Sequence, residues 1–184
     1  AFAGVFKDSI GFENDTLVSL SGSQDLFSMQ TDLDGNIDWI RKISGLGDEF
    51  TYSLTFAKSG NGDVYLGGYS SSDTLSIDST NMDIIEVTED FKGSNDGILV
   101  AYDSTGTLKW TARAGGPSTD KVFDVFAEDS ILHISGVFNG SLNWGGIELN
   151  APGGSADSDM FTGQIDVNGN FLGANNFSGR NNSR

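Results

Sequence analysis

The chain reads DLFSMQTDLDGNIDW from residue 25 to residue 39, and it reads DGILVAYDSTGTLKW from residue 96 to residue 110. A third version, DMFTGQIDVNGNFLG, fills residues 159 to 173. Each copy begins with an aspartate and continues through a glycine-centred turn, and the first two copies end on a tryptophan. The turn glycines Gly35, Gly106 and Gly169 are 71 and 63 residues apart, a period typical of multi-stranded repeat units.

A second landmark repeats independently of the first. Residues 64–69, VYLGGY, match residues 132–137, LHISGV, and GVF at residues 136–138 matches GVF at residues 4–6. The chain therefore holds between two and three units, which we place at roughly residues 2–67, 68–135 and 136–184.

Within a unit the apolar residues alternate with polar ones, which is the period of a half-buried strand. Glycine turns at Gly35, Gly62, Gly106 and Gly169 predict tight hairpins, because glycine accepts a positive φ without steric cost. The helical apolar spacing is absent. We expect an all-β fold of four-stranded antiparallel sheets, and in the first unit we place the strands near residues 2–12, 25–32, 37–44 and 51–57 running on to 63–69.

Together these elements resemble the SBBP-type bacterial β-propeller repeat. The resemblance is carried by Asp25, Phe27, Asp32, Gly35, Asn36, Trp39, Gly45, Gly62, Asp63, Val64, Tyr65 and Gly68, and in the second unit by Asp96, Asp103, Gly106, Trp110, Gly115, Gly116 and Gly136. The third copy departs from the pattern, because Gly173 stands where Trp39 and Trp110 stood. The resemblance implies propeller blades, about two and a half to three of them, in a secreted or surface-exposed bacterial protein with a scaffold or binding role and no catalysis.

A propeller closes with about four or more blades, so we expect these blades to belong to a larger propeller. The partners of the chain would then be the other blades of a longer polypeptide. Alternatives are that several copies of the chain assemble, or that a partner covers the open ends.

Composition narrows the classes of partner. The net charge is −16, which disfavours nucleic acid and anionic membrane surfaces because a polyanion would be repelled. No apolar run approaches the roughly 18 residues of a membrane helix, so no membrane insertion is expected. The chain has no cysteine, so it has neither disulfides nor thiolate metal sites.

Six tripeptides consist of Asp, then Ser or Thr, then a small aliphatic residue or Thr. They resemble the O-glycosylation acceptor of exported Bacteroidota proteins, and the acceptor hydroxyls would be Ser9, Thr16, Thr74, Ser79, Ser104 and Ser130. The alternative is that Asp-Ser and Asp-Thr serve as turn residues. The glycosylation interpretation implies export to the periplasm or cell surface, where such propellers are typically type IX secretion cargo and serve adhesion or gliding motility.

Two further features of the sequence bear on metal binding and catalysis. Asp32, Asp34, Asn36 and Asp38 place oxygen side chains at alternate positions, as calcium would require, but the loop lacks the EF-hand spacing. We therefore expect no cofactor, and calcium stays an alternative. The single histidine, His133, aligns with Tyr65 and is expected to pack in a strand.

The tryptophans Trp39, Trp110 and Trp144 are expected to pack between blades rather than to stack on sugars. From all these features we predict a non-enzymatic, secreted or cell-surface adhesion or binding scaffold. Its partners beyond other blades would be the outer-membrane secretion machinery or surface glycans. The alternatives are a carbohydrate-active propeller enzyme, whose active site would lie in blades outside this sequence, and a calcium-stabilised structural module.

Overall fold

The computed structural model describes residues 1–12, 15–51, 56–78, 84–87, 94–156 and 158–178. In these ranges the chain forms strands and one short 3-10 turn at Gly154–Ala156, and all strands in the sheets pair antiparallel. The prediction of an all-β antiparallel fold is therefore confirmed. The prediction of four-stranded sheets is correct only for the third sheet. The first sheet has five strands and the second has seven, because hairpin strands of the following unit pair with them. The described part of the chain has no helix with the length and hydropathy needed to cross a membrane.

In chain order the strands are β1 (Phe2–Lys7), β2 (Ser9–Phe12), β3 (Asp15–Val18), β4 (Gln24–Thr31), β5 (Ile37–Ser44), β6 (Glu49–Phe50), β7 (Phe56–Lys58), β8 (Val64–Ser70), β9 (Leu75–Asp78), β10 (Ile84–Val87), β11 (Asp96–Tyr102), β12 (Leu108–Gly115), β13 (Asp120–Glu128), β14 (Ile131–Asn139), β15 (Ser141–Trp144), β16 (Ile147–Asn150), β17 (Ser158–Asp166) and β18 (Phe171–Phe177). The first sheet has the order β1-β4-β5-β9-β10. The second has the order β16-β15-β12-β11-β8-β6, with β7 also on β8, and the third is β13-β14-β17-β18. Strands β2 and β3 form a separate two-stranded sheet.

The same three-strand core recurs in each unit. We call its members strand b (β1, β8, β14), strand c (β4, β11, β17) and strand d (β5, β12, β18). In the second and third units a further strand a, formed by β6 and β7 or by β13, pairs with the other edge of strand b. Each unit also carries a hairpin between strands b and c, namely β2–β3, β9–β10 or β15–β16. Strand β9 pairs with β5 and β15 pairs with β12, so these hairpins extend the sheet of the preceding unit.

The predicted hairpin turns form for the predicted reason. Gly35, Gly62, Gly106 and Gly169 have φ values of 91°, 90°, 78° and 92°, in the region that favours glycine. Two predicted strands are wrong. Residues 51–57 do not run on into residues 63–69: residues 52–55 lie outside the described residues, and Phe56–Lys58 and Val64–Ser70 are separate antiparallel strands of the second sheet. Residues 2–12 do not form a continuous strand, because Asp8 adopts φ 63° and turns the chain between β1 and β2.

Successive units pack sheet face against sheet face. One core cluster combines Leu26, Trp39 and Ile43 of the first unit with Ile98 and Tyr102 of the second. A second cluster joins the second and third units, and its members include Tyr65, Leu99, Ala101, Ala112, Val125, Ile134, Trp144, Phe161 and Ile165. Because each cluster draws on two units, burial of apolar surface holds neighbouring units together.

The repeated tryptophans make the same contact at both junctions. The Nε1–H of Trp39 donates to the carbonyl of Ser104 at 3.1 Å, and that of Trp110 donates to the carbonyl of Val167 at 3.0 Å. Ser104 and Val167 hold the same place in successive turns. Packing of Trp39 and Trp110 is thus confirmed as a contact from strand d of one unit to the turn of the next. Trp144 does not make this contact: it lies on β15 of the second sheet and is buried against Phe161 and Phe171 of the third.

Candidate functional site

A groove of about 460 Å³ lies on the outer face of the third sheet. Strands β13, β14, β17 and β18 all contribute to its walls. Its lining residues are Asp124, Phe126, His133, Ile134, Ser135, Thr162, Gly163, Gln164, Gly173 and Asn175. Side chains alternate across a strand, so Leu132, Ile134 and Phe138 of β14 point into the core while His133 and Ser135 face the groove.

The same face of the second sheet is apolar and covered by the third unit. There the corresponding positions are Tyr65, Leu99, Ala101 and Ala112, which are all buried in the core cluster between the two units. The residues that replace them in the third unit are, in the same order, His133, Thr162, Gln164 and Asn175. The surface that serves as an internal interface in the second unit is therefore hydrogen-bonding and open in the third.

Gly173 gives the groove its open side. It stands in place of the tryptophan of the first two units, and within the part of the chain that the structure describes an added Cβ there would have no atom within 4 Å. The sequence showed this departure, but not that it borders a cavity.

His133 lies in a strand, as predicted, yet its side chain is 40% exposed rather than packed. Its Nδ1 is 3.4 Å from Nε2 of Gln164, and its Nε2 is 3.5 Å from a carboxylate oxygen of Glu128. The ring of Phe126, itself 60% exposed, has its centroid 6.4 Å from the imidazole. These contacts make His133 a hydrogen-bonding member of the groove wall beside an exposed aromatic ring.

In the turn that was considered as a calcium site, the Asp32 carboxylate accepts hydrogen bonds from other groups of the same turn. Oδ1 of Asp32 accepts the backbone N–H groups of Asp34 and Asn36, both at 2.9 Å, and Oδ2 accepts the Asn36 amide at 2.7 Å. The Asn36 bond lowers the pKa of Asp32. Asp166 and Asn170 repeat this arrangement in the third unit, so hydrogen bonding in the turn accounts for the pattern. Among the described residues no group of three or more His, Asp or Glu side chains is placed to hold a metal.

The predicted glycosylation acceptors are on the surface wherever the structure describes them. The exposed ones are Ser9, Thr16, Thr74, Ser104 and Ser130. Ser79 lies outside the described residues. The preceding aspartates also support the turn interpretation, since Asp8 and Asp129 both adopt a positive φ.

A repeated pair of buried carboxylates escaped the sequence analysis. Asp25 and Glu49, at the junction of the first and second units, correspond to Asp96 and Asp120 at the junction of the second and third, and all four are buried. Burial is the main cause that raises the pKa of Glu49 to about 7, and the Asp25 carboxylate adds to it. Burial likewise raises the pKa of Asp120 to about 7, with a contribution from Asp96. The available signal was spacing, because both later carboxylates stand ten residues after the repeated tryptophan.

Two serines hold the Glu49 carboxylate in place. The hydroxyls of Ser70 and Ser72 donate to its Oε1 at 2.9 and 2.5 Å. At the start of β13, strand a of the third unit, Oδ2 of Asp120 accepts the backbone N–H of Gly116 at 2.7 Å. The Ser70 contact joins strand a to strand b, and the Gly116 contact closes the connection between strands d and a, so both carboxylates are structural and neither is part of the groove.

Comparison of the chain with protein-family models and with curated proteins finds no match. The groove and the repeat geometry therefore carry the functional argument.

Proposed function

We propose that this chain is a non-enzymatic, β-propeller-type binding scaffold, exported to a bacterial cell surface, that binds glycan in the groove of the third sheet. One observation carries the proposal. The face that is apolar and covered in the second unit is replaced in the third by polar side chains around a groove of about 460 Å³. The same face also presents the exposed side chains of Phe126, Met160 and Phe177, so the groove offers hydrogen-bonding groups beside apolar surface.

The groove offers the chemistry that a polyhydroxylated ligand requires. The amides of Gln164 and Asn175 both donate and accept hydrogen bonds, and the Asp124 carboxylate accepts them. Phe126 provides an exposed apolar ring on which the carbon face of a sugar can rest. Few precisely placed polar groups beside an aromatic surface are the usual composition of a small-ligand site.

The negative charge of the chain determines which glycans the groove can bind. The chain carries a net charge of −16, and Asp124 and Glu128 lie at or next to the groove. Sulfated or uronic-acid polymers would be repelled, so the proposed ligand is a neutral glycan.

Export rests on the exposed Asp-Ser and Asp-Thr tripeptides and on the resemblance to the SBBP repeat. Tandem units that pack face to face support a propeller-type arrangement. The intact mass of the protein from its native host tests the export proposal. Added sugar is expected, and a mass equal to the bare polypeptide would count against it.

Glycan binding is tested with the full chain on an array of neutral and anionic glycans, followed by calorimetry. We expect binding to neutral glycans, and a loss of about tenfold or more in affinity for Gln164→Ala and Asn175→Ala, because each removes hydrogen bonds to the ligand. Asn150→Ala, at an exposed position of β16, is the matched control and should bind normally. The proposal fails if no glycan binds, or if the groove variants bind as tightly as the control.

A further inference from the structure

The turn at Gly35 has the shape of the two turns that receive a tryptophan, but it receives none. Its φ of 91° matches those of Gly106 and Gly169. An added Cβ at Gly106 or Gly169 would lie 2.6 or 3.0 Å from a tryptophan ring, whereas at Gly35 it would have no atom of the described residues within 4 Å. Leu33, in the position of Ser104 and Val167, is fully exposed. The first unit therefore presents an unoccupied copy of a contact that the chain uses twice.

The β2–β3 hairpin beside this turn also lacks a paired strand from another unit in the described part of the chain. In the other two units the first strand of the corresponding hairpin pairs with strand d of the preceding unit, as β9 does with β5 and β15 with β12. In the described part of the chain β2 pairs only with β3. The edge of β2 is where strand d of another unit would lie.

A third open position lies on β1. Strands β8 and β14 each carry a strand a on their outer edge, but β1 forms the end of its sheet in the described residues. At both internal junctions strand a follows strand d after four residues, from Ser44 to Glu49 and from Gly115 to Asp120. One continuous segment, strand d with its tryptophan followed by strand a, would therefore fill all three positions.

The third unit of this chain does not offer that segment. Gly173 replaces the tryptophan, and His133, Thr162, Gln164 and Asn175 stand where the second unit has the buried residues Tyr65, Leu99, Ala101 and Ala112. Trp144 is fully buried against Phe161 and Phe171 within the third unit. The tryptophan has to come from a unit that resembles the first or the second.

From this geometry we propose that the Gly35 turn, the β2 edge and the β1 edge form a docking surface for one more repeat unit of the same type. That unit carries a tryptophan four residues after its own turn glycine. Its indole covers Gly35 and donates to the carbonyl of Leu33, as Trp39 does at Gly106 and Ser104. The inference does not depend on glycan binding, because the docking surface belongs to the first unit and the groove to the third.

Two in-register fusions to the full chain test the proposal. One places a second copy of residues 64–132 before Ala1, and the other places a second copy of residues 1–64 there. Both joints keep the repeat alignment, since Gly4 corresponds to Gly68 and Gly136. Each added copy contains one tryptophan of the repeat, Trp110 or Trp39.

We expect the fused unit to raise the melting temperature by several degrees. The added tryptophan should be severalfold less accessible to acrylamide quenching than free indole. Replacing that tryptophan by alanine in the added copy, or Gly35→Val in the recipient, should abolish both effects.

The proposal is overturned if in both fusions the tryptophan is quenched like free indole and the melting temperature equals that of the unfused chain. It is also overturned if the unfused chain dimerises and Gly35→Val abolishes the dimer, because the occupant would then be a second copy.

Discussion

The indole ring of Trp39 lies directly over Gly106, so close that a Cβ at residue 106 would be 2.6 Å from the ring. The glycine is thus required twice, once for its φ of 78° and once for its lack of a side chain. Trp110 and Gly169 repeat the relationship at the next junction, with 3.0 Å to the ring. At each junction, therefore, a tryptophan ring of one unit packs on the backbone of a turn glycine in the next unit.

Alanine substitutions at Gly35 and Gly106 should separate the need for a positive φ from the need for space under the tryptophan ring. Gly35→Ala is expected to destabilise the chain by about 1–2 kcal/mol, because alanine is strained at a positive φ. Gly106→Ala should lose about 1–3 kcal/mol more, because its Cβ would overlap the Trp39 ring. Urea unfolding of both variants gives the difference. Equal losses would mean that the ring moves aside and that the contact contributes little.

The indole hydrogen bond can be removed without removing the ring. Trp39→Phe keeps an aromatic ring beside Gly106 but deletes the donor to the Ser104 carbonyl, so a loss of about 1–2 kcal/mol is expected. Trp39→Ala should lose about 3–5 kcal/mol, because the side chain is 5% exposed and packed between two units. Chemical denaturation measures both. An alanine variant no less stable than the phenylalanine variant would contradict the role assigned to the ring.

Stability should fall as the pH rises from about 5 to about 8. The buried Glu49 and Asp120 carboxylates have pKa values raised to about 7, so between their ordinary values and 7 the folded state holds protons that the unfolded state has released. Their stabilising contribution is complete at low pH and is lost as the pH passes 7, by up to about 3 kcal/mol for Glu49 and about 4 kcal/mol for Asp120. Unfolding free energies at a series of pH values measure the slope.

Glu49→Gln should flatten this pH profile and stabilise the chain at pH 8, because the amide carries no charge to desolvate. Asp38→Asn, on an exposed strand position, is the matched control and should leave the slope unchanged. Parallel profiles for the wild type and Glu49→Gln would show that Glu49 does not cause the dependence.

Calcium should leave the melting temperature unchanged. The Asp32 oxygens already accept three hydrogen bonds within the turn, from two backbone amides and the Asn36 side chain. Scanning calorimetry with added calcium and with EDTA checks this. A shift that Asp32→Asn abolishes would restore the calcium-stabilised module as an interpretation.

Much of the repeat architecture could be predicted from the sequence because its signals are local. Glycine turns, alternating strands and a tryptophan at fixed spacing each act within about fifteen residues, and the sheets follow from them. The pairing of hairpins β9–β10 and β15–β16 with the preceding unit could not be predicted, because it joins edges that are distant in the sequence. The break at Asp8 was missed because aspartate only occasionally adopts a positive φ.

The candidate site shows the same division more sharply. The sequence by itself shows that Gly173 replaces a tryptophan. It also shows that apolar residues are replaced by His133, Thr162, Gln164 and Asn175. Only the tertiary structure decided that these positions share one face, because alternate residues of four strands meet there after the sheet has formed. Burial also turned Glu49 and Asp120 from ordinary acidic residues into groups with raised pKa values, since desolvation depends on what surrounds a carboxylate and not on its neighbours in the chain.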